Sequence, residues 1–119
     1  RKQGVRAKRR MEVAFSSREL RTQCESNHAA KRSFGDSAAR DLMRWLADLR
    51  VLDSAAALFD MEPDTRSDPE LIGQLSIPLG ETHVLIAEAV LPKRPSANGA
   101  LDWALVSRLK LLRIEKRNV

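Results

Sequence analysis

The chain has 119 residues and a formal net charge of +5, and 43% of it is hydrophobic but only 4% aromatic. That is room for one domain with a modest core, filled mainly by aliphatic side chains. No run of about 18 apolar residues is present, which excludes a membrane-spanning helix. The basic opening has no apolar segment after it, so no signal peptide is expected. The single cysteine, Cys24, excludes an internal disulfide and a cysteine-based metal cluster. A cytoplasmic protein is the expectation.

The charge is unevenly spread. Arg1, Lys2, Arg6, Lys8, Arg9 and Arg10 lie in the first ten residues, which hold no acid; subtracting these six from +5 leaves −1 for residues 11–119. The body is near neutral and the basic character is a tail. Residues 1–10 are expected to be a disordered leader, with contact to nucleic acid as the functional alternative. Residues 11–119 are expected to form the single folded domain.

After the tail, Met11-Glu-Val-Ala-Phe15 alternates and reads as a short strand. Ser16 and Ser17 provide a cap, and Ser16 with Glu19 matches a capping box, for a helix over residues 18–25, which places Leu20 and Cys24 on one face. Cys24 reads as a core thiol. Asn27 caps or continues a second turn through Lys31, and Gly35 breaks the pattern. The strongest helix starts at Asp36 or Ser37. Its Ala38, Leu42, Trp45, Leu46, Leu49 and Leu52 recur at spacings of three and four, while Arg40, Asp41, Arg44, Asp48 and Arg50 form a solvated face. A short helix over residues 54–59 ends before Pro63.

Residues 62–70 read as a polar loop with four acids against the lone Arg66. A strand follows, with Leu71, Leu75, Ile77 and Leu79 on one face and Gln74 and Ser76 on the other. Pro78 lacks a ladder donor, so its end should be an edge or a bulge. Gly80-Glu-Thr-His83 makes a hairpin turn. Residues 84–91 are apolar on both faces apart from Glu88, the mark of a central strand. A loop over residues 92–100 leads to the most apolar strand signal, residues 101–116. There Leu105, Leu109 and Leu111 share one face, and Val106, Arg108, Lys110, Leu112 and Ile114 the other. The fold class is therefore α+β: two N-terminal helices on one face of a small, mostly antiparallel sheet of about four strands, in the order β-α-α-β-β-β.

The order of elements, together with several local strings, resembles the RelE/ParE superfamily of bacterial toxins, especially its HigB-like killer-protein branch. The strings are Met11-Glu-Val-Ala-Phe, Glu19-Leu, Cys24, Gly35 followed by Ala39, and residues 42–58 with Leu46, Leu49 and Asp53-Ser54. Gly73-Gln-Leu, Leu85-Ile86, Glu88, Asn98-Gly-Ala-Leu-Asp-Trp103 and Leu111-Leu-Arg-Ile-Glu115 complete the set. The resemblance covers nearly everything after the tail, through order and spacing rather than any single diagnostic string.

It implies the toxin of a type II toxin–antitoxin pair, with cleavage of messenger RNA on the ribosome as the inherited activity. Such chemistry uses no metal or cofactor. A basic sheet binds phosphates, and a few side chains activate the 2′-hydroxyl, stabilise the pentacoordinate phosphate and protonate the leaving oxygen. On this sequence Arg108, Lys110, Lys116 and Arg117 are the candidates for RNA phosphates, and Arg113 for transition-state charge. His83 is the only conventional proton shuttle near the sheet. Because Arg113 differs in parity from Arg108 and Lys110, a bulge near Leu111-Leu112 is needed to unite them. Leu20, Leu42, Leu46 and Leu49 are expected to flank an apolar groove for the antitoxin.

The chain departs from the family's pattern where the chemistry should lie. The usual closing Tyr and His are missing, since Ile114-Glu115 runs into Lys116, Arg117 and Asn118 and there is no tyrosine. An arginine usual at the start of the penultimate strand falls on Val84. The basic loop before the second strand is short and acidic around Asp68. A second reading follows, a binding protein of the same fold without catalysis: either a ParE-like inhibitor of DNA gyrase or a degenerate toxin that only binds its antitoxin. A basic nucleic-acid module resting on the tail is a third.

Overall fold

The computed structural model describes residues 11–62, 64–68, 70–90 and 101–117. The expected leader (1–10), the helix stop at Pro63, the loop over residues 92–100 and Asn118 lie outside them.

The chain begins with β1 (Glu12–Phe15) and three helices, α1 (Arg18–Glu25), α2 (Asn27–Phe34) and α3 (Asp36–Leu49). Then come α4 (Ala56–Met61) and the strands β2 (Arg66–Ser67), β3 (Gln74–Leu79) and β4 (His83–Ala89). A 3-10 turn at Trp103–Leu105 precedes β5 (Arg108–Lys116). The fold is α+β, with four α-helices and a five-stranded sheet of order β1-β5-β4-β3-β2 among the described residues. β1 runs parallel to β5, and the other neighbours are antiparallel. The expected count of two helices and about four strands is corrected by this. The fifth strand is β2, two residues inside the stretch read as a polar loop, where composition hides a brief pairing of Arg66 with Ser76.

Local chemistry sets the helix boundaries. Ser17 rather than Ser16 caps α1, accepting the Leu20 amide at 3.1 Å. Ser26 caps α2 through the Ala29 amide, also at 3.1 Å, and the helix runs past Lys31 to Phe34. Gly35, at φ +89°, ends α2 by donating its amide to the Lys31 carbonyl, a left-handed cap that glycine adopts without cost.

The apolar stripe of α3 closes onto the sheet. Ala38, Leu42, Trp45, Leu46 and Leu49 join Leu75, Ile77, Leu79, Leu85, Ala87, Leu109 and Leu111 in one core. Leu71, expected to share that face, is exposed, as is Ile72, because β3 begins only at Gln74. Pro78 behaves as an edge. The Gln74 carbonyl accepts from Asp68, so Gln74, Ser76 and Pro78 turn their backbone groups towards β2, which ends opposite Ser76. β5 likewise starts later than the apolar run suggests. Trp103 sits in the 3-10 turn, edge-on to Phe59 with ring centroids 5.4 Å apart.

Candidate nucleic-acid interface

Helices cover one face of the sheet and, among the described residues, leave the other open. Strand alternation and register place Glu12 on that open face from β1, Arg66 from β2, and Ser76 and Pro78 from β3. Val84, Ile86 and Glu88 reach it from β4, and Arg108 and Lys110 from β5. Up to Leu111 the alternation on β5 is regular. There the ladder slips: Leu111 pairs with Ala87 but Arg113 pairs with Ile86, leaving Leu112 without an opposite residue. This is a β-bulge, and it restores the parity of Arg113 to that of Arg108 and Lys110. The three cations therefore share one face, with Arg66 across the sheet on β2. Arg66, Ser76, Ile86, Arg113 and Glu115 line a shallow groove of about 370 Å³ that continues towards Arg117 and Lys116.

The cations on this face are matched by acids. The Arg108 Nε donates to Glu12 Oε1 at 2.8 Å, Arg113 pairs with Glu115, and Lys110 lies directly opposite Glu88. Exposed pairs of this kind are worth only about 0–1 kcal/mol, so a phosphate can displace the carboxylate at small cost. Arg117 is held differently. Its backbone amide donates to the Thr82 carbonyl and its guanidinium to the Gly80 carbonyl, at 2.8 and 3.0 Å, which pins the end of β5 to the β3–β4 turn.

His83 is not with them. It lies directly across from Lys116 and Leu79, with its ring edge-on to Phe34 at 5.5 Å, so it belongs to the helix-covered side of the sheet. Partial burial, and then the Lys116 ammonium, lower its pKa from 6.5. One ring nitrogen lies 2.8 Å from the Thr82 hydroxyl. The structure thus unites Arg108, Lys110 and Arg113 and separates them from His83, while Lys116 pairs opposite His83 and also lines the far end of the groove. The expected partner-binding leucines are also elsewhere: Leu20, Leu42, Leu46 and Leu49 are all core residues, packed internally rather than offered to a groove. Cys24 is buried, and desolvation pushes its thiol up to about 11, an inert core position. Among the described residues, no group of three or more His, Cys, Asp or Glu is placed to hold a metal ion. No helix there is long and apolar enough to cross a membrane.

No protein-family model, curated protein or solved structure matches the chain.

Chemically, the open face offers guanidinium and ammonium groups for phosphate oxygens. Its carboxylates, Glu12, Glu88 and Glu115, stand beside those cations. Sequence reasoning passed over Arg66 and Glu115. Arg66 is the one cation of an acidic stretch, and only the β2–β3 pairing carries it to the groove. Glu115 lies two residues beyond Arg113 and so shares its face, and the bulge at Leu112 carries both to the open side of the sheet.

Proposed function

We propose that this chain is the toxin of a bacterial type II toxin–antitoxin pair, a HigB-like domain of RelE/ParE arrangement working in the cytoplasm. Its inherited activity is endonucleolytic cleavage of messenger RNA on the ribosome. The observation that carries the reading is the bulge at Leu112, which gathers Arg108, Lys110 and Arg113 on the sheet face that the helices leave open. Phosphates lie along that face, and Arg113 meets the charge that develops on the pentacoordinate phosphate. His83, on the other side of the sheet, is withdrawn from the chemistry. The carboxylate next to Arg113 is Glu115, which takes the 2′-hydroxyl proton in a cleaving enzyme.

A second reading is favoured by the same geometry. The face carries no histidine or tyrosine among the described residues, and two of its cations, Arg108 and Arg113, are already paired with Glu12 and Glu115. That suits a protein of the same fold that binds without cutting, either a ParE-like inhibitor of DNA gyrase or a partner of the antitoxin alone. Induced expression in a bacterial host separates the two. Loss of translation with cut transcripts supports the ribonuclease, while intact translation with impaired supercoiling supports gyrase inhibition. Growth, translation and supercoiling all untouched at high expression would leave only antitoxin binding.

A further inference from the structure

Among the described residues, β1 closes one side of the sheet and has a neighbour, β5, on one edge only. The Glu12 amide donates to the Ser107 carbonyl and the Ser16 amide to the Leu111 carbonyl, so Glu12, Ala14 and Ser16 spend their backbone groups on β5. In a parallel pair the intervening residues turn the other way. Val13 and Phe15 therefore point their amides and carbonyls out of the sheet. The first position on that outer edge is already taken, because the Met11 amide donates to the Leu52 carbonyl at 2.9 Å. Beyond it, no described residue occupies the edge.

A cleft of about 630 Å³ lies along this edge, lined by Val13 and Phe15 and by Arg18, Arg21, Glu25 and Arg50 among others. Three cations thus face one acid. Arg21 pairs with Glu25 at 2.9 Å and extends over the Phe15 ring, its guanidinium carbon 6.0 Å from the centroid. Arg18 and Arg50 are exposed and, among the described residues, have no carboxylate within ion-pair distance. An open strand edge is a template for another strand, and the surrounding charge selects which. The chain's own residues 1–10 have six cations and no acid, so they are not the electrostatic complement.

We infer that the β1 edge is a docking site for an acidic, extended segment of a partner protein, which adds to the sheet beside Val13 and Phe15 and places carboxylates against Arg18 and Arg50. Main-chain hydrogen bonds to Val13 and Phe15 give this contact its geometry, and the arginines give it its choice of sequence. The residues involved lie apart from the open-face groove, so the site stands whether or not the sheet binds RNA.

The probe is a fluorescein-labelled peptide of alternating glutamate and valine, followed by anisotropy against the full chain. Saturable binding is expected, weakened about fivefold or more by Arg18→Glu and again by Arg50→Glu, each a reversal of one attraction in the cleft. Both positions are exposed, and circular dichroism checks that each variant is folded. The same peptide carrying N-methyl groups on alternate residues should lose binding, since it keeps the charge but cannot continue the ladder. No binding by the unmodified peptide would overturn the proposal. Equal binding by the methylated peptide would also overturn it, because the contact would then be charge alone. So would a single-stranded oligonucleotide that binds more tightly and responds equally to Arg50→Glu.

Discussion

The Ser16 hydroxyl donates to the carbonyl of Leu112 at 2.6 Å, across 96 positions of sequence. Leu112 is the residue that the β4–β5 ladder skips, and its carbonyl turns to the end of β1 instead. Ser16 is therefore what holds the bulge, not what caps α1. Ser16→Ala should lower unfolding free energy in urea by about 1 kcal/mol, the usual net worth of one hydrogen bond. An unchanged midpoint would mean that water replaces the hydroxyl without cost.

Trp45 is 1% exposed at the centre of the α3 stripe, whereas Trp103 is half-buried against Phe59. Trp45→Ala should cost about 3–5 kcal/mol through lost burial and the cavity left behind. Trp103→Ala should cost about 1–2 kcal/mol, mostly the edge-to-face contact and partial burial. Thermal unfolding of the two variants gives the order, and equal losses would show that α3 does not seal the core.

At the β3–β4 turn, Gly80 has φ +64°, and a Cβ there would lie 2.7 Å from the Ser37 Oγ. Its amide donates to the Asp41 carboxylate at 2.6 Å, tying the turn to α3. Gly80→Ala should destabilise by about 2 kcal/mol, part from the left-handed backbone and part from the clash. Adding Ser37→Ala removes the clash and should recover about half of that loss, leaving the backbone cost of about 1 kcal/mol. A double variant no better than the single would put the whole cost in the backbone.

The alternation in residues 11–15 and the three-and-four spacing from Ala38 to Leu49 made β1 and α3 legible in the sequence, since both report burial on one side. The β-hairpin and the edge at Pro78 were equally readable, from Gly80 and from the missing donor. β2 was not, because two residues carry no periodicity and Arg66 sits among acids. The burial of the groove leucines was not legible for a physical reason: an apolar stripe looks the same whether it meets a partner or its own sheet, and Leu42 and Leu49 meet the sheet. Parity arithmetic on Arg108, Lys110 and Arg113 identified the need for a bulge near Leu111-Leu112. It could not reveal that Ser16 would hold it, because that contact depends on how β1 lies beside β5.

His83 titrates against the fold. Burial, with Lys116 behind it, lowers its folded pKa from 6.5, so the folded protein prefers the neutral ring. Between the folded value and 6.5 the unfolded chain binds more protons, so this contribution is complete above about pH 6.5 and is lost as pH falls through that window. His83→Gln removes the titration together with the Phe34 contact. The stability gap between wild type and variant should be widest near pH 7.5 and shrink towards pH 5, measured by urea unfolding at each pH. A gap independent of pH would mean that the ring is solvated. Translation arrest, where present, should keep its pH dependence in this variant, because the ring lies on the covered side of the sheet.

Glu115 separates binding from cutting on the open face. As the partner of Arg113 it competes with phosphate for the guanidinium, and as the adjacent carboxylate it takes the 2′-hydroxyl proton in the proposed cleavage. Glu115→Gln removes both roles. It should tighten single-stranded RNA binding and steepen its salt dependence by a slope of about 0.7, one freed phosphate contact, while lowering cleavage of ribosome-bound messenger RNA by about 100-fold. Glu12→Gln releases Arg108 in the same way but leaves Glu115 in place, so it should tighten binding without loss of cleavage. Arg113→Ala should lose both. Binding that rises in Glu115→Gln with no cleavage by any form would leave the phosphate face standing and the binding-only protein as its owner. RNA affinity unmoved by all three substitutions would remove the open face as a nucleic-acid interface.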